Sequence, residues 1–339
     1  MKIERRTFIQ GLSLALLAAP HAAHAQKPAK VPRVGILGVG PVPSGPELAK
    51  SIAGNPFWQQ MRQLGWVEGQ TLIVERRFGN SADQLRAGAV ELVRLKVDVL
   101  FVSGAGPAKI LQAETKTIPI VVGRSEIDLV AAGLVASLAR PGGNITGAQL
   151  LNDELAPKRV ELLRALIPNL SRLAFLQEDV TLAPLPEMQS RYDQAAARAA
   201  RTLGMELRTI VVHRAEELPA AFASMKKNQD QALMVSSSAF MFVHRKALAD
   251  LATAHRIPTI YEVQNFLDAG GLMSYGVNVA EMQHRAAVYV DKILRGAKPG
   301  DLPIEQPTKL DLVINVKTAR AIGLTIPPSV LQRADQIIE

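Results

Sequence analysis

Two glycine loops, Gly38-Val39-Gly40 and, after Ser103, Gly104-Ala105-Gly106, each follow an apolar run and precede further structure, where an open parallel sheet holds its ligands. The chemistry open to such a loop is anion binding. Backbone N–H groups at a helix start, with Pro107 suited to the first turn, can hold a carboxylate or another small anion. Neither loop completes a dinucleotide fingerprint, because Pro43 and Lys109 stand where a third glycine is needed, and no Gly-x-x-x-x-Gly-Lys phosphate loop occurs. Each reads either as a ligand cradle or as a tight strand-to-helix turn. Ser236, Ser237 and Ser238 follow another apolar run, and Tyr275 ends a further one. Their hydroxyls can bond the polar end groups of a small zwitterionic or anionic solute, or the serines can form a plain hydrophilic loop. Asp128, in a loop after the fourth strand, can pair with a ligand ammonium or stand solvated.

Catalytic constellations are scarce. The chain has no Gly-x-Ser-x-Gly elbow and no His-Glu-x-x-His zinc helix. One Ser-x-x-Lys match, Ser224 with Lys227, lies near the end of an amphipathic pattern whose lysines face solvent. His213, His244, His255 and His284 are far apart in the sequence or on polar faces, as surface residues are. With no cysteine there are no disulfides, thiolate zinc sites or iron–sulfur clusters. The expectation is a binding protein rather than an enzyme, with no cofactor and no metal.

The residues that could hold a solute need a scaffold, and the chain supplies an alternating one. Strand patterns at 33–37, 71–75, 97–103 and 118–122 alternate with helical patterns at 57–64, 85–95, 108–115 and 130–138. Pro41, Pro43, Gly45 and Pro46 make the stretch after the first strand a loop, and 140–144 a turn. After Gly147 the alternation restarts, with helices at 158–166, 188–203, 218–226 and 242–255 and strands at 173–177, 205–212, 232–236 and 259–261. A strand at 272–275, a helix at 280–294, a strand at 310–315 and a helix at 318–322 complete the chain. This is an α/β chain of parallel βαβ units, and it predicts two similar doubly wound lobes with a ligand cleft between them.

Lengths and charges fit that plan. The 339 residues are 48% hydrophobic, which excludes a disordered chain, and their number suits two domains. Lys2, Arg5 and Arg6, an apolar run from Gly11 to Ala19, and Ala23-His24-Ala25 form an export signal over 1–25, with cleavage near Ala25. The Arg5-Arg6 pair before Thr7-Phe8-Ile9 is of twin-arginine type. The apolar run falls short of the roughly 20 residues needed to span a bilayer. Export places the mature protein in a periplasm. The formal charge of +8 becomes +6 without the signal and includes no Lys/Arg run, so nucleic acid is not an expected partner.

Several longer stretches resemble one family. LGWVEGQ at 64–70, ARPGGNITG at 139–147, GGLMSYG at 270–276, YVDKILRGAKP at 289–299, LPIEQPTK at 302–309, VIN at 313–315 and AIGLTIP at 321–327 are similar, in this order, to motifs of the ABC transporter substrate-binding protein family that includes tryptophan-uptake-like proteins. The resemblance implies a type I periplasmic binding fold, with 31–147 and 272–300 in lobe 1, and 148–271 and 301–339 in lobe 2. It also implies a monomer that binds an amino acid or small organic acid and delivers it to an ABC permease in the inner membrane. The family's threonine after its third strand is absent from Gly104-Ala105-Gly106-Pro107-Ala108, and of its DPVG motif only Asp128 and Val130 are retained. Two other readings stay open at this level: an extracytoplasmic sensing subunit, and a nicotinamide-dependent enzyme on the same doubly wound pattern.

Overall fold

The computed structural model describes residues 30–43, 45–150, 152–178, 186–307 and 309–339. The export signal expected over 1–25 lies outside them. The first sheet holds five parallel strands, β1 (Arg33–Val39), β2 (Ile73–Gly79), β3 (Val99–Val102), β4 (Ile120–Ser125) and β5 (Ile145–Gln149), in the order β2-β1-β3-β4-β5. Helices α1 (Gly45–Gly54), α2 (Pro56–Gln63), α3 (Ala82–Arg94) and α4 (Ala105–Glu114) connect them. Both faces are covered, as parallel sheets require. Leu100 and Val102 enter one core cluster while Val99 enters the other, the period-two signature of a strand buried on both sides.

The second lobe opens with α5 (Asn152–Leu166) and continues as β6 (Arg172–Glu178), α6 (Pro186–Thr202), β7 (Glu206–Val212), α7 (Leu218–Asn228), β8 (Ala232–Val235), α8 (Ala239–Val243), α9 (Arg245–Ala254), β9 (Thr259–Tyr261), α10 (Asn265–Asp268) and β10 (Met273–Gly276). After α11 (Val279–Leu294) it ends in β11 (Asp311–Asn315), α12 (Val316–Ile322), α13 (Pro328–Leu331) and β12 (Gln336–Ile338). Its seven strands run β12-β11-β10-β9-β8-β6-β7, parallel except for the β10/β11 pair. Leu173, Phe175 and Met234 fill one face, and Ala174, Leu176, Leu233 and Val235 the other.

The structure departs from the sequence reading at six places. Strand Met273–Gly276, expected in lobe 1, lies inside the lobe 2 sheet, hydrogen-bonded in parallel to β9 and antiparallel to β11. The chain leaves lobe 2 only at Val277 and Asn278, after which α11 packs Ala286, Ala287, Tyr289 and Val290 into a lobe 1 core with Phe57 and Met61. Its return is later than residue 301, because Glu305 still pairs along β5 through Gly147 C=O (2.8 Å) and Gln149 N–H (3.0 Å). The helix expected at 130–138 is replaced by turns: Gly133, at φ +69°, ends the single turn that Asp128 begins. Pro46 is tolerated in the first turn of α1, where no N–H is needed, so a helix forms in the expected loop. Finally, β5 forms where only a turn and a restart were read, and His244 leaves helical geometry and splits the expected 242–255 helix into α8 and α9.

Candidate ligand cleft

The connections between lobes locate the cleft. The chain passes from the C-terminal end of β5 straight into α5, and from the C-terminal end of β10 into α11, so both sheets turn their C-terminal edges toward one hinge. Ala148, Leu150, Val277 and Met282, with Leu310 beside them, form a small apolar cluster where the three crossing segments meet. Ligands of open α/β sheets bind at that edge.

Lobe 1 brings Gly38, Val39, Gly40, Ser103, Gly104, Ala105 and Asp128 to its edge. Gly38 and Val39 finish β1, and Gly40, at φ +124°, donates its N–H to Gly79 C=O at 3.1 Å. Ser103 is exposed and Ala105 is buried as the first residue of α4. Gly104 takes φ +96° and ψ 151°, a conformation essentially reserved for glycine, and no side chain caps the helix it precedes. Asp128 is committed in part to its own loop. Its Oδ1 accepts the N–H groups of Val130 (2.8 Å) and Ala131 (3.2 Å), an Asx turn that orders the chain after β4.

Sequence reading missed the charges nearest the helix start. Arg124, within β4, gives its carbonyl to Gly104 N–H at 2.7 Å and its Nε–H to Glu126 Oε1 at 2.8 Å. Glu126 Oε2 lies 4.0 Å from where a Cβ on Gly104 would stand. The edge thus joins helix-start donors to a guanidinium–carboxylate pair, and this mixture suits a zwitterion better than a bare anion. Two opposite charges flanking the end of a strand were the available signal.

Lobe 2 brings Ser236, Ser237, Ser238 and Tyr275 to its edge. Ser236 N–H continues the sheet onto Leu176 C=O at 3.0 Å. Ser238 caps α8 by accepting Met241 N–H at 3.1 Å, and its hydroxyl donates to Glu178 at the end of β6. Ser237 is 5% exposed, and its Oγ has no hydrogen-bond partner among the described residues. Tyr275 is half-buried, its carbonyl taken by Arg159 Nε–H at 2.9 Å. A depression of about 670 Å³ lined by Lys246, Asp250, Asn315, Lys317 and Glu339 lies at the opposite edge of this sheet, away from the hinge.

The longer motifs serve the scaffold. Trp66 Nε1–H bonds Asp291 of α11 at 2.8 Å, Asn144 Nδ2–H holds Thr115 and Ile118 carbonyls, and Thr146 Oγ1–H bonds Leu302 C=O at 2.8 Å. The Trp66 and Thr146 bonds lock lobe 1 to the segment returning from lobe 2, and those of Asn144 join elements within lobe 1. Among the described residues, no group of three or more metal-ligating side chains gathers, and no helix is long and apolar enough to cross a membrane.

Residues 47–338 match the family model for ABC transporter substrate binding proteins. The chain is 23% identical over 290 residues to the tyrosine-binding protein of Clostridioides difficile (strain R20291), spanning 85% of this chain and 81% of that one. Among solved structures, the ABC domain in complex with L-Trp from Streptococcus pneumonia has a TM-score of 0.76 at 22% identity, over 91% of this chain and 99% of the other. A conserved domain protein from Vibrio cholerae has a TM-score of 0.77 at 23% identity, over 91% and 100%.

Proposed function

The chain belongs to the ABC transporter substrate-binding protein family and has the type I periplasmic binding fold, and on that premise we propose that it is a periplasmic receptor for an amino-acid-like or small carboxylate-bearing solute. The solute binds between the lobes, and the closed form is presented to a membrane permease. The receptor works as an exported monomer, without a cofactor and without chemistry of its own. Ligand energy acts only through a difference in affinity between open and closed arrangements, which shifts their populations. Lobe 1 offers the α4 start with Arg124 and Glu126, and lobe 2 offers serine hydroxyls.

The observation that carries this reading is the Ser237 hydroxyl, buried at the cleft edge with no partner among the described residues. Leaving such a group unmet costs about 1–3 kcal/mol, which a solute hydrogen bond would recover. The tyrosine-binding relative and the tryptophan complex make L-tyrosine and L-tryptophan the first probes. A thermal-shift screen of amino acids, small carboxylates and aromatic acids on the mature chain tests it. A solute at 100 times its Kd should stabilise the protein by about 2.7 kcal/mol. Stabilisation by NAD or NADP, with none by any small solute, would overturn the receptor reading.

A further inference from the structure

Among the described residues Arg159 is the largest fully buried side chain, at 1% exposure. It sits on α5, two turns after the first crossing, and its guanidinium reaches three other elements. Nε–H donates to the Tyr275 carbonyl at 2.9 Å, one residue before β10 ends and two before the second crossing begins at Val277. Nη1–H donates to the Tyr192 hydroxyl of α6 at 3.1 Å, and Nη1 lies 3.7 Å from Glu262 Oε1, immediately after β9 at the cleft edge. Glu262 is itself 4% exposed. Burial and the Glu262 carboxylate hold the Tyr192 phenol well above its ordinary value, so it stays neutral beside the pair.

Gly276 gives independent testimony that these segments meet. A Cβ there would collide with the Glu262 carbonyl oxygen and come within 3.4 Å of Arg159 Nη2. The end of β10 and the loop after β9 therefore touch backbone to backbone, with the guanidinium behind them. Apolar packing alone would hold α5 against the sheet without the penalty of burying two charges. What a guanidinium adds is several directional donors in a fixed fork, which a lysine ammonium lacks.

We infer that Arg159 is a positioning residue that fastens the ligand-facing loop after β9 to the second crossing, so that the cleft edge of lobe 2 and the hinge move as one piece. The inference rests on the solute-receptor reading only in requiring two lobes that close. It goes beyond that reading by naming how an event at the cleft reaches the crossing segments.

The native chain has no cysteine, so spin labels can be placed at will on exposed Arg86→Cys in lobe 1 and Lys227→Cys in lobe 2. Electron-spin distance measurements without solute then read the spread of lobe separations, whatever solute the receptor takes. Failure here leaves the receptor reading standing, and failure of the solute screen leaves this result standing. Removing both charges in Arg159→Met/Glu262→Gln should broaden the inter-lobe distance distribution relative to the parent. Tyr192→Phe, which spares the Tyr275 link, should leave it unchanged. Arg159→Lys keeps the charge opposite Glu262, covers the case in which the double variant fails to fold, and should broaden the distribution as well. An unchanged distribution in Arg159→Lys or in the double variant, or equal broadening in Tyr192→Phe, would overturn the inference and reduce the cluster to packing.

Discussion

Ser237→Ala should stabilise the unliganded protein and weaken its solute binding, two effects of opposite sign from one oxygen atom. Alanine keeps the Cβ and deletes only Oγ, an atom buried at 5% residue exposure without a partner among the described residues. Removing a desolvated, unbonded hydroxyl recovers up to its desolvation penalty of about 1–3 kcal/mol. At about 2–4 °C per kcal/mol for domains of this size, the unliganded melting midpoint should rise by a few degrees. The solute meanwhile loses one hydrogen bond worth about 0.5–1.5 kcal/mol, which raises Kd up to about tenfold, and by more than that if the bonded group is charged. Thermal unfolding followed by circular dichroism gives the first quantity, and titration calorimetry with the solute found by screening gives the second. A fall in the unliganded midpoint would mean that the hydroxyl already serves the fold. A rise with unchanged Kd would mean that the buried group lies outside the ligand's reach. Either result would separate the burial of this hydroxyl from solute binding.

Gly104→Ala should lower stability by about 1–3 kcal/mol through backbone strain, since the position holds φ +96° and ψ 151° while the nearest atoms, at 3.7 and 4.0 Å, leave room for a methyl group. Denaturant unfolding checks this, and a neutral result would show that the α4 start can relax. Burial holds the Tyr192 and Tyr261 phenols above their ordinary value near 10. Below pH 10 both stay protonated in folded and unfolded chains alike. Above it only the unfolded chain releases these protons, so stability should fall with a slope that steepens toward about 2.7 kcal/mol per pH unit from the pair. Unfolding titrations between pH 9 and 11 test the slope, and a flat profile would contradict the burial of these rings.

Much of the fold was readable because strand residues such as Leu173, Ala174, Phe175 and Leu176 send alternate side chains into two different cores. A run buried on both faces must be apolar throughout, and that pattern is local. The lobe to which β10 belongs was not readable, because Met273 and Ser274 say that the strand is central and nothing about which neighbours complete its hydrogen bonds. The helix expected at 130–138 fails for a related reason. Its apolar residues have helical spacing, yet the Asx turn at Asp128 and the left-handed Gly133 close the chain on itself first.

At the cleft the division is the same. Residue types told in advance that glycines, serines and an acid would stand at strand ends, because a doubly wound chain puts its loops there. The linear order also carried the family motifs and the absence of any cysteine. Folding added the facts that depend on distant partners: Glu126 beside Gly104, Asp128 partly committed to its own loop, Ser237 buried without a partner among the described residues, and Arg159 linking four elements across 116 positions of sequence at its longest bond. Burial and hydrogen-bond satisfaction are properties of what surrounds a side chain, and for these residues the surroundings come from segments that the local pattern does not name.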